Sequence, residues 1–404
     1  MGQLSGPLNR WFTMRHGLSR SSDARSGAFS RVLAMLVVLM LTIPTLAAVA
    51  SDGDTPASYD DEDRASSDPS EWLTFKGDKQ RTGVSASEAP SVDKVLWQVQ
   101  FSCSVIYSSP TVWYGTVYIG VSGTIKAIWA KNGTLRWNYN APNPVHTAPV
   151  IEDGIIYAGA NDFGGTSAVA VNATTGEEVW NASIPDFVTA SPLVLGTNVY
   201  FGCQNGLLYC LKRSDGKERW NFTADRGILY GSIALMNDLL YFGIEADGSD
   251  NGKLYAVDVA TGQEDWNASI LGSVWSSPTV ADGEVLVSTA GDKSIGISSR
   301  KGFVYSFNAT TGALTWRTND LGMVMASPSI KNGRAYVGTF GKFINDIEFI
   351  TPQMYCLDVT DGDIIWNKTV SHGADNAKVW SSVTIAGAKI IFGDEMGYLN
   401  VWNI

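Results

Sequence analysis

Histidine and cysteine are scarce in this 404-residue chain, which narrows the chemistry it can support. The three histidines are His16, His146 and His372, and no spacing among them resembles a zinc site. The four cysteines, Cys103, Cys203, Cys210 and Cys356, include no adjacent pair. No serine or cysteine nucleophile motif stands out. Basic residues are outnumbered 29 to 40, for a formal net charge of −11. A nucleic-acid partner needs a basic face, so that class is excluded. Residues 32–50 carry no charge at all.

What is abundant is a glycine followed four residues later by a tryptophan: Gly133/Trp137, Gly176/Trp180, Gly216/Trp220, Gly262/Trp266, Gly312/Trp316 and Gly362/Trp366. A fixed interval recurring every 40 to 50 residues marks one supersecondary unit copied along the chain. The glycine supplies positive φ in a tight hairpin, and the tryptophan lies on the strand that follows. Each unit reads as four short strands. The first carries small-Ser-Pro, as in Ser109-Pro110, Ser191-Pro192, Ser277-Pro278 and Ser327-Pro328, with Ala148-Pro149 as a variant. Asp153-Gly154, Asp282-Gly283 and Asn332-Gly333 mark the turn to the second strand. Six complete units result, and a seventh with three strands runs from Val379 to Ile404. Val95 to Val99 resembles a tryptophan strand without its turn glycine, since position 93 is Asp93. The expected fold is all-β: a seven-bladed β-propeller of four-stranded antiparallel blades, its last blade closed by that N-terminal strand, with no open sheet edges between blades.

Ala256 to Trp266 resembles the tryptophan-docking repeat, A-x-D-x-x-T-G-x-x-x-W, of quinoprotein-type, PQQ-binding-like β-propellers. Ala170 to Trp180 matches it with Asn172 in place of the acid, and Ser306 to Trp316 and Cys356 to Trp366 are close variants. Trp72, Phe75, Gly77, Asp78, Arg81 and Gly83 resemble the lead-in segment that precedes such propellers. The resemblance covers residues 72 to 404 and implies the fold. It implies a quinone less directly, because most proteins with these repeats are not thought to bind one. The family's dehydrogenases commonly stack their quinone on a disulfide between neighbouring cysteines, which this chain lacks. Seven blades also departs from the eight typical of those dehydrogenases and of the family's outer-membrane assembly lipoproteins.

The domain organisation reads as a basic N-region at 1–31, a signal-peptide core or membrane anchor at 32–50, a disordered acidic linker at 51–70 and the propeller at 71–404. Five arginines, from Arg10 to Arg31, precede the apolar run, and Asp52 to Asp63 follow it. That asymmetry directs the downstream domain out of the cytoplasm. Ala48-Val49-Ala50 offers a cleavage site, so the propeller is secreted or anchored to the outer face of the cytoplasmic membrane. Seven Asn-x-Ser/Thr sequons, at Asn132, Asn172, Asn181, Asn221, Asn267, Asn308 and Asn367, are glycosylation candidates in an exported chain. Repeat duplication explains four of them equally well.

The turns divide between two faces. Those linking first to second and third to fourth strands are short, whereas the second-to-third loops of blades four to six and the link Thr369 to Lys378 are long. Long loops on a rigid scaffold are where binding residues gather. Two residues before each inner-strand serine position stand Tyr107, His146, Thr189, Tyr230, Trp275, Met325 and Trp380, placed by the repeat at the channel mouth on the long-loop face. With His372, Asp375, Asp346, Glu348 and Lys342 they form the candidate contact surface for a protein, peptide or glycan. The competing reading is that the rings plug the channel. Asp247, Ser249, Asn251, Gly252 and Asp258 follow the start of a calcium loop, but the repeat consensus already explains Gly252 and Asp258. The reading is therefore a monomeric binding scaffold with no catalytic motif, no metal and no cofactor. The alternative is a PQQ- and calcium-dependent dehydrogenase at the central channel.

Overall fold

The computed structural model describes residues 71–90, 94–101, 108–162, 165–204, 206–225, 231–245, 251–290, 301–344, 347–372 and 375–404, without the side chains of 162, 165 and 342–349. The basic stretch, apolar run and acidic linker lie outside these residues. Among the described residues no helix is long and apolar enough to cross a membrane.

Seven sheets stand round a ring. Blade one pairs Thr111–Trp113, Thr116–Val121, Thr124–Trp129 and Leu135–Asn140 in that order, all antiparallel. Blades two to six repeat the plan. Their inner strands are Val150–Glu152, Leu193–Leu195, Ala234–Met236, Thr279–Ala281 and Ser329–Lys331. Their outer strands are Glu178–Ser183, Glu218–Thr223, Glu264–Leu271, Leu314–Arg317 and Ile364–Thr369. Blade seven contributes Thr384–Ala386, Lys389–Gly393 and Leu399–Asn403. Both faces of each sheet pack on a neighbour, so the cores lie between blades. In one of them Tyr200 and Leu208 of blade three meet Leu240, Phe242 and Tyr255 of blade four.

The tryptophans lock these seams. An added Cβ at Gly176 would stand 2.8 Å from the Trp137 ring of the preceding blade, and this glycine has φ +78. Gly216 under Trp180, Gly262 under Trp220, Gly312 under Trp266 and Gly362 under Trp316 repeat the contact. Glycine serves the hairpin and the close approach at once. The indole of Trp137 donates to the Ala173 carbonyl at 3.1 Å, and the Tyr118 hydroxyl donates to the same oxygen at 3.0 Å. Trp266 and Tyr241 likewise share the Ala309 carbonyl. Trp180 donates to the Arg213 carbonyl and Trp316 to that of Val359, whereas at the seam of blades three and four the Tyr200 hydroxyl alone reaches the Val259 carbonyl and the Trp220 indole N–H has no partner.

An N-terminal strand does join blade seven, but at a different place from the one read in the sequence. Val84–Ser85 pairs in parallel with the inner strand, Val84 opposite Ile385. Residues 94–101 form no strand, and Val95 and Leu96 are 59% and 58% exposed. Trp97 nevertheless does what the other docking tryptophans do. Its indole donates to the Ala130 carbonyl at 2.6 Å, and its ring covers Gly133 of blade one. This side chain packs on the outer hairpin of blade one as the other docking tryptophans pack on theirs. In sequence, Asp93 stands where the other repeats carry the turn glycine, so no glycine is there to fix a hairpin register.

The lead-in segment closes one end of the central channel. Its carbonyls accept from the inner strands in sequence order: Trp72 from Val112, Leu73 from Ile151, Lys79 from Leu235, Gln80 from Val280, Thr82 from Ile330 and Gly83 from Ile385. Those are blades one, two, four, five, six and seven. Blade three is reached by Arg81, whose Nη2 donates to the Pro192 carbonyl at 3.1 Å. Twelve residues thus reach every blade, at the short-turn end of the ring.

Candidate functional site

Two cations are buried in that floor. Arg81 is fully buried and spends its guanidinium on oxygens: Nε on the Ile233 carbonyl at 2.9 Å, Nη1 on Phe75 at 2.7 Å and on the Thr74 hydroxyl, and Nη2 on Pro192. Burial draws its pKa down to about 10, so it remains charged at neutral pH. Lys76, 4% exposed, donates to the Thr279 hydroxyl at 3.0 Å and to the Pro328 carbonyl. Burial lowers its pKa from 10.5 to about 7, against the weaker pull of Asp78. Desolvation disfavours the ammonium where only neutral oxygens surround it.

Above the floor, serine hydroxyls form a belt. The backbone N–H of Ala148 donates to Ser191 Oγ at 3.1 Å, that of Ser191 to Ser232, of Ser232 to Ser277, of Ser277 to Ser327, and of Ser327 to Ser382. Five bonds thus join blades two to seven around the channel, which explains the serine of the small-Ser-Pro motif. The sequence showed the repetition but not the partner, because the partner is always in the next blade.

The other end of the channel carries the long loops. Isolated bridges from Val145 to Ala160, Val188 to Cys203 and Val379 to Asp394 tie the start of the inner segment to the far end of the second strand in blades two, three and seven. His146, Thr189 and Trp380 follow directly, at the long-loop mouth, with Trp275 and Met325 at the matching positions of blades five and six. His146 is exposed, and Thr189, Trp275, Met325 and Trp380 are half-buried. Tyr107 and Tyr230 lie outside the described residues, as does Asp346, and the side chains of Lys342 and Glu348 are outside them too.

Over blades six and seven the contacts run together. The Trp380 ring meets Phe340 edge-on at 4.8 Å, and Lys378 Nζ lies 4.5 Å over the Phe340 ring. Lys378 pairs with Glu395 at 3.1 Å. Next to Glu395, Asp394 is buried and accepts at 2.6 Å from His372 Nε2, at 2.7 Å from Asn400, and from the Met396 and Tyr398 amides. His372 stacks on Tyr398 with centroids 3.7 Å apart. The strands Ser371–His372 and Asp375–Asn376 form a hairpin that this His–Asp bond pins to blade seven, and Asp375 is exposed at its edge. The structure therefore joins Trp380 and His372 in one patch. Trp275 and Met325 extend it along the channel rim, while His146 stands in blade two. Phe340, Lys378, Glu395 and Tyr398 were not singled out from sequence; no periodicity marks residues that meet only across loops.

Of the calcium-loop spacing, Asp247 and Ser249 lie outside the described residues. Asn251–Asp258 is a continuous strand, and at ~3.3 Å per residue its ends are roughly 23 Å apart. Asp258 Oδ1 is engaged by the Ala260 and Thr261 amides in the docking hairpin. Cys203, Cys210 and Cys356 are free thiols buried between blades, and burial pushes Cys210 up to about 11. Cys103 lies outside the described residues.

A family profile described as outer membrane protein assembly factor BamB matches residues 81–239, 204–304 and 300–403. The BamB of Yersinia pestis is 27% identical over 199 residues, 43% of this chain and 49% of that protein. The chain spans about half or less of the length of the curated relatives it matches. The crystal structure of BamB from Moraxella catarrhalis superposes with a TM-score of 0.58 at 20% identity, covering 77% of this chain and 86% of that one. The quinohemoprotein alcohol dehydrogenase ADHIIG of Pseudomonas putida shares the fold alone, with a TM-score of 0.50 at 12% identity over 80% of this chain and 76% of that one.

Proposed function

Since the chain belongs to the family described as outer membrane protein assembly factor BamB, we propose that it is a non-catalytic scaffold outside the cytoplasm, binding a protein partner on its long-loop face. The observation that carries this reading is the joined patch of Trp380, Phe340, Lys378, Glu395, Asp394, His372 and Tyr398. Rigid aromatic rings beside fixed charges give large contact area at low entropic cost. A channel closed at the other end leaves this face as the broad, varied surface. Export rests on the basic-apolar-acidic order of residues 1–63. The relatives' assembly role lends weight to a protein over a glycan or peptide. The dehydrogenase alternative has less support, because the sequence has no adjacent cysteine pair and the three described cysteines lie in blade cores.

Photo-crosslinking tests the reading. Benzoylphenylalanine replaces Phe340, Trp380 or, as a control on the short-turn face, Lys217, and intact cells are irradiated. Discrete adducts with an envelope protein are expected from positions 340 and 380 and none from 217. Adducts from 217 alone, or from none of the three, would contradict this placement.

A further inference from the structure

The seven sequons fall into two structural classes. In the six complete blades the residue after the docking tryptophan is Asn138, Asn181, Asn221, Asn267, Arg317 or Asn367. All six lie on or at the end of an outer strand, the last in its sheet. In blades two, three, four and six a hydroxyl residue follows at the second position: Ser183, Thr223, Ser269 and Thr369. The four asparagines occupy one register, opposite Val169, Tyr209, Tyr255 and Tyr355. Side chains two apart on a strand share a face. Asn181, Asn221, Asn267 and Asn367 are all exposed. The contacts of Asn221 with Glu218 at 2.7 Å and of Asn267 with Glu264 at 2.6 Å are solvent-exposed.

Asn132, Asn172 and Asn308 are placed differently. Asn172 Oδ1 accepts from the Thr174 and Thr175 amides at 2.9 Å. Asn308 Oδ1 accepts from the Thr310 and Thr311 amides, and Asn132 Oδ1 from the Thr134 amide and hydroxyl. These bonds shape the docking turn, whose glycine carries the preceding blade's tryptophan. Ala173 and Ala309, the middle residues of two of these sequons, supply the carbonyls that Trp137 and Trp266 bind. A glycan there would crowd the seam between blades.

We propose that Asn181, Asn221, Asn267 and Asn367 carry N-linked glycans on the outer rim, and that Asn132, Asn172 and Asn308 stay unmodified. The inference rests on the export reading above. The donor is a polyprenyl-phosphate-linked saccharide. Nδ2 forms a bond to its anomeric carbon, the bond from that carbon to phosphate oxygen breaks with its electron pair, the polyprenyl phosphate leaves, and the Nδ2 proton passes to solvent. Exposed strand edges invite pairing with other chains, and glycans at this register blunt them. In blade five the charged Arg317 holds the same place.

The full chain is isolated from its own cells after protease treatment of intact cells has shown on which side it lies. Intact-mass and glycopeptide analysis then count the additions. Four glycan increments are expected. Asn→Gln at 181, 221, 267 or 367 should each remove one, and Ser183→Ala should remove the same increment as Asn181→Gln while leaving the asparagine in place. Asn→Gln at 132, 172 or 308 should remove none. An external chain of unmodified mass, or increments lost on changing the turn asparagines, overturns this proposal and leaves export standing. A chain found inside the cell overturns both.

Discussion

Lys76 shows how a single side chain ties stability to pH. In the unfolded chain its amine keeps a proton up to about 10.5, whereas in the folded ring it releases it near 7. Between those values the unfolded state binds more protons, so the contribution to stability rises with pH. Tyr118, Tyr200 and Tyr241 act in the opposite sense. Burial at the seams pushes their hydroxyls up to about 12, so above pH 10 the unfolded state loses protons first and stability falls. Thermal melting is therefore expected to climb from pH 7 towards 10 and then turn over. Lys76→Met should flatten the climb and leave the fall intact. An unchanged climb in the variant would mean that Lys76 keeps its proton in the folded state.

Much of what fixes the elements relative to one another passes between blades. The docking hairpins, the shared carbonyls and the serine belt all cross a seam. Trp97 is the case where the side chain acts without its strand. Trp97→Ala removes the ring over Gly133 and the bond to Ala130. For a half-buried indole the loss should fall near the lower end of the ~3–5 kcal/mol typical of tryptophan truncation. A denaturant midpoint equal to that of the parent would mean that this docking contact does not stabilise blade one. The sequence made the hairpins legible because Asp-Gly, Asn-Gly and Thr-Gly turns impose local dihedrals that repeat. It made the blade-seven partner illegible, since a two-residue strand such as Val84–Ser85 has no period and no turn of its own. The candidate surface was half legible. The positions before each serine could be counted along the repeat, but the Phe340–Lys378 and His372–Asp394 contacts join segments of unrelated pattern.

At the scale of the whole molecule, the lead-in segment is the feature that makes seven sheets one body. Its carbonyls accept from six blades, the Arg81 guanidinium donates to blade three, and it closes one end of the channel, opposite the long loops. Arg81 and Lys76 need no acidic partner there because carbonyl and hydroxyl oxygens converge on them from four separate blades and from the segment itself. Such an arrangement is rigid by necessity: local opening would leave buried carbonyls unpaired, each at ~1–3 kcal/mol. Hydrogen exchange of the full chain, followed by mass spectrometry, tests this most directly. The account predicts that amides of Val112, Ile151, Leu235, Val280, Ile330 and Ile385 exchange together, as slowly as the blade cores. Fast exchange at these six positions while the second strands remain protected would contradict it.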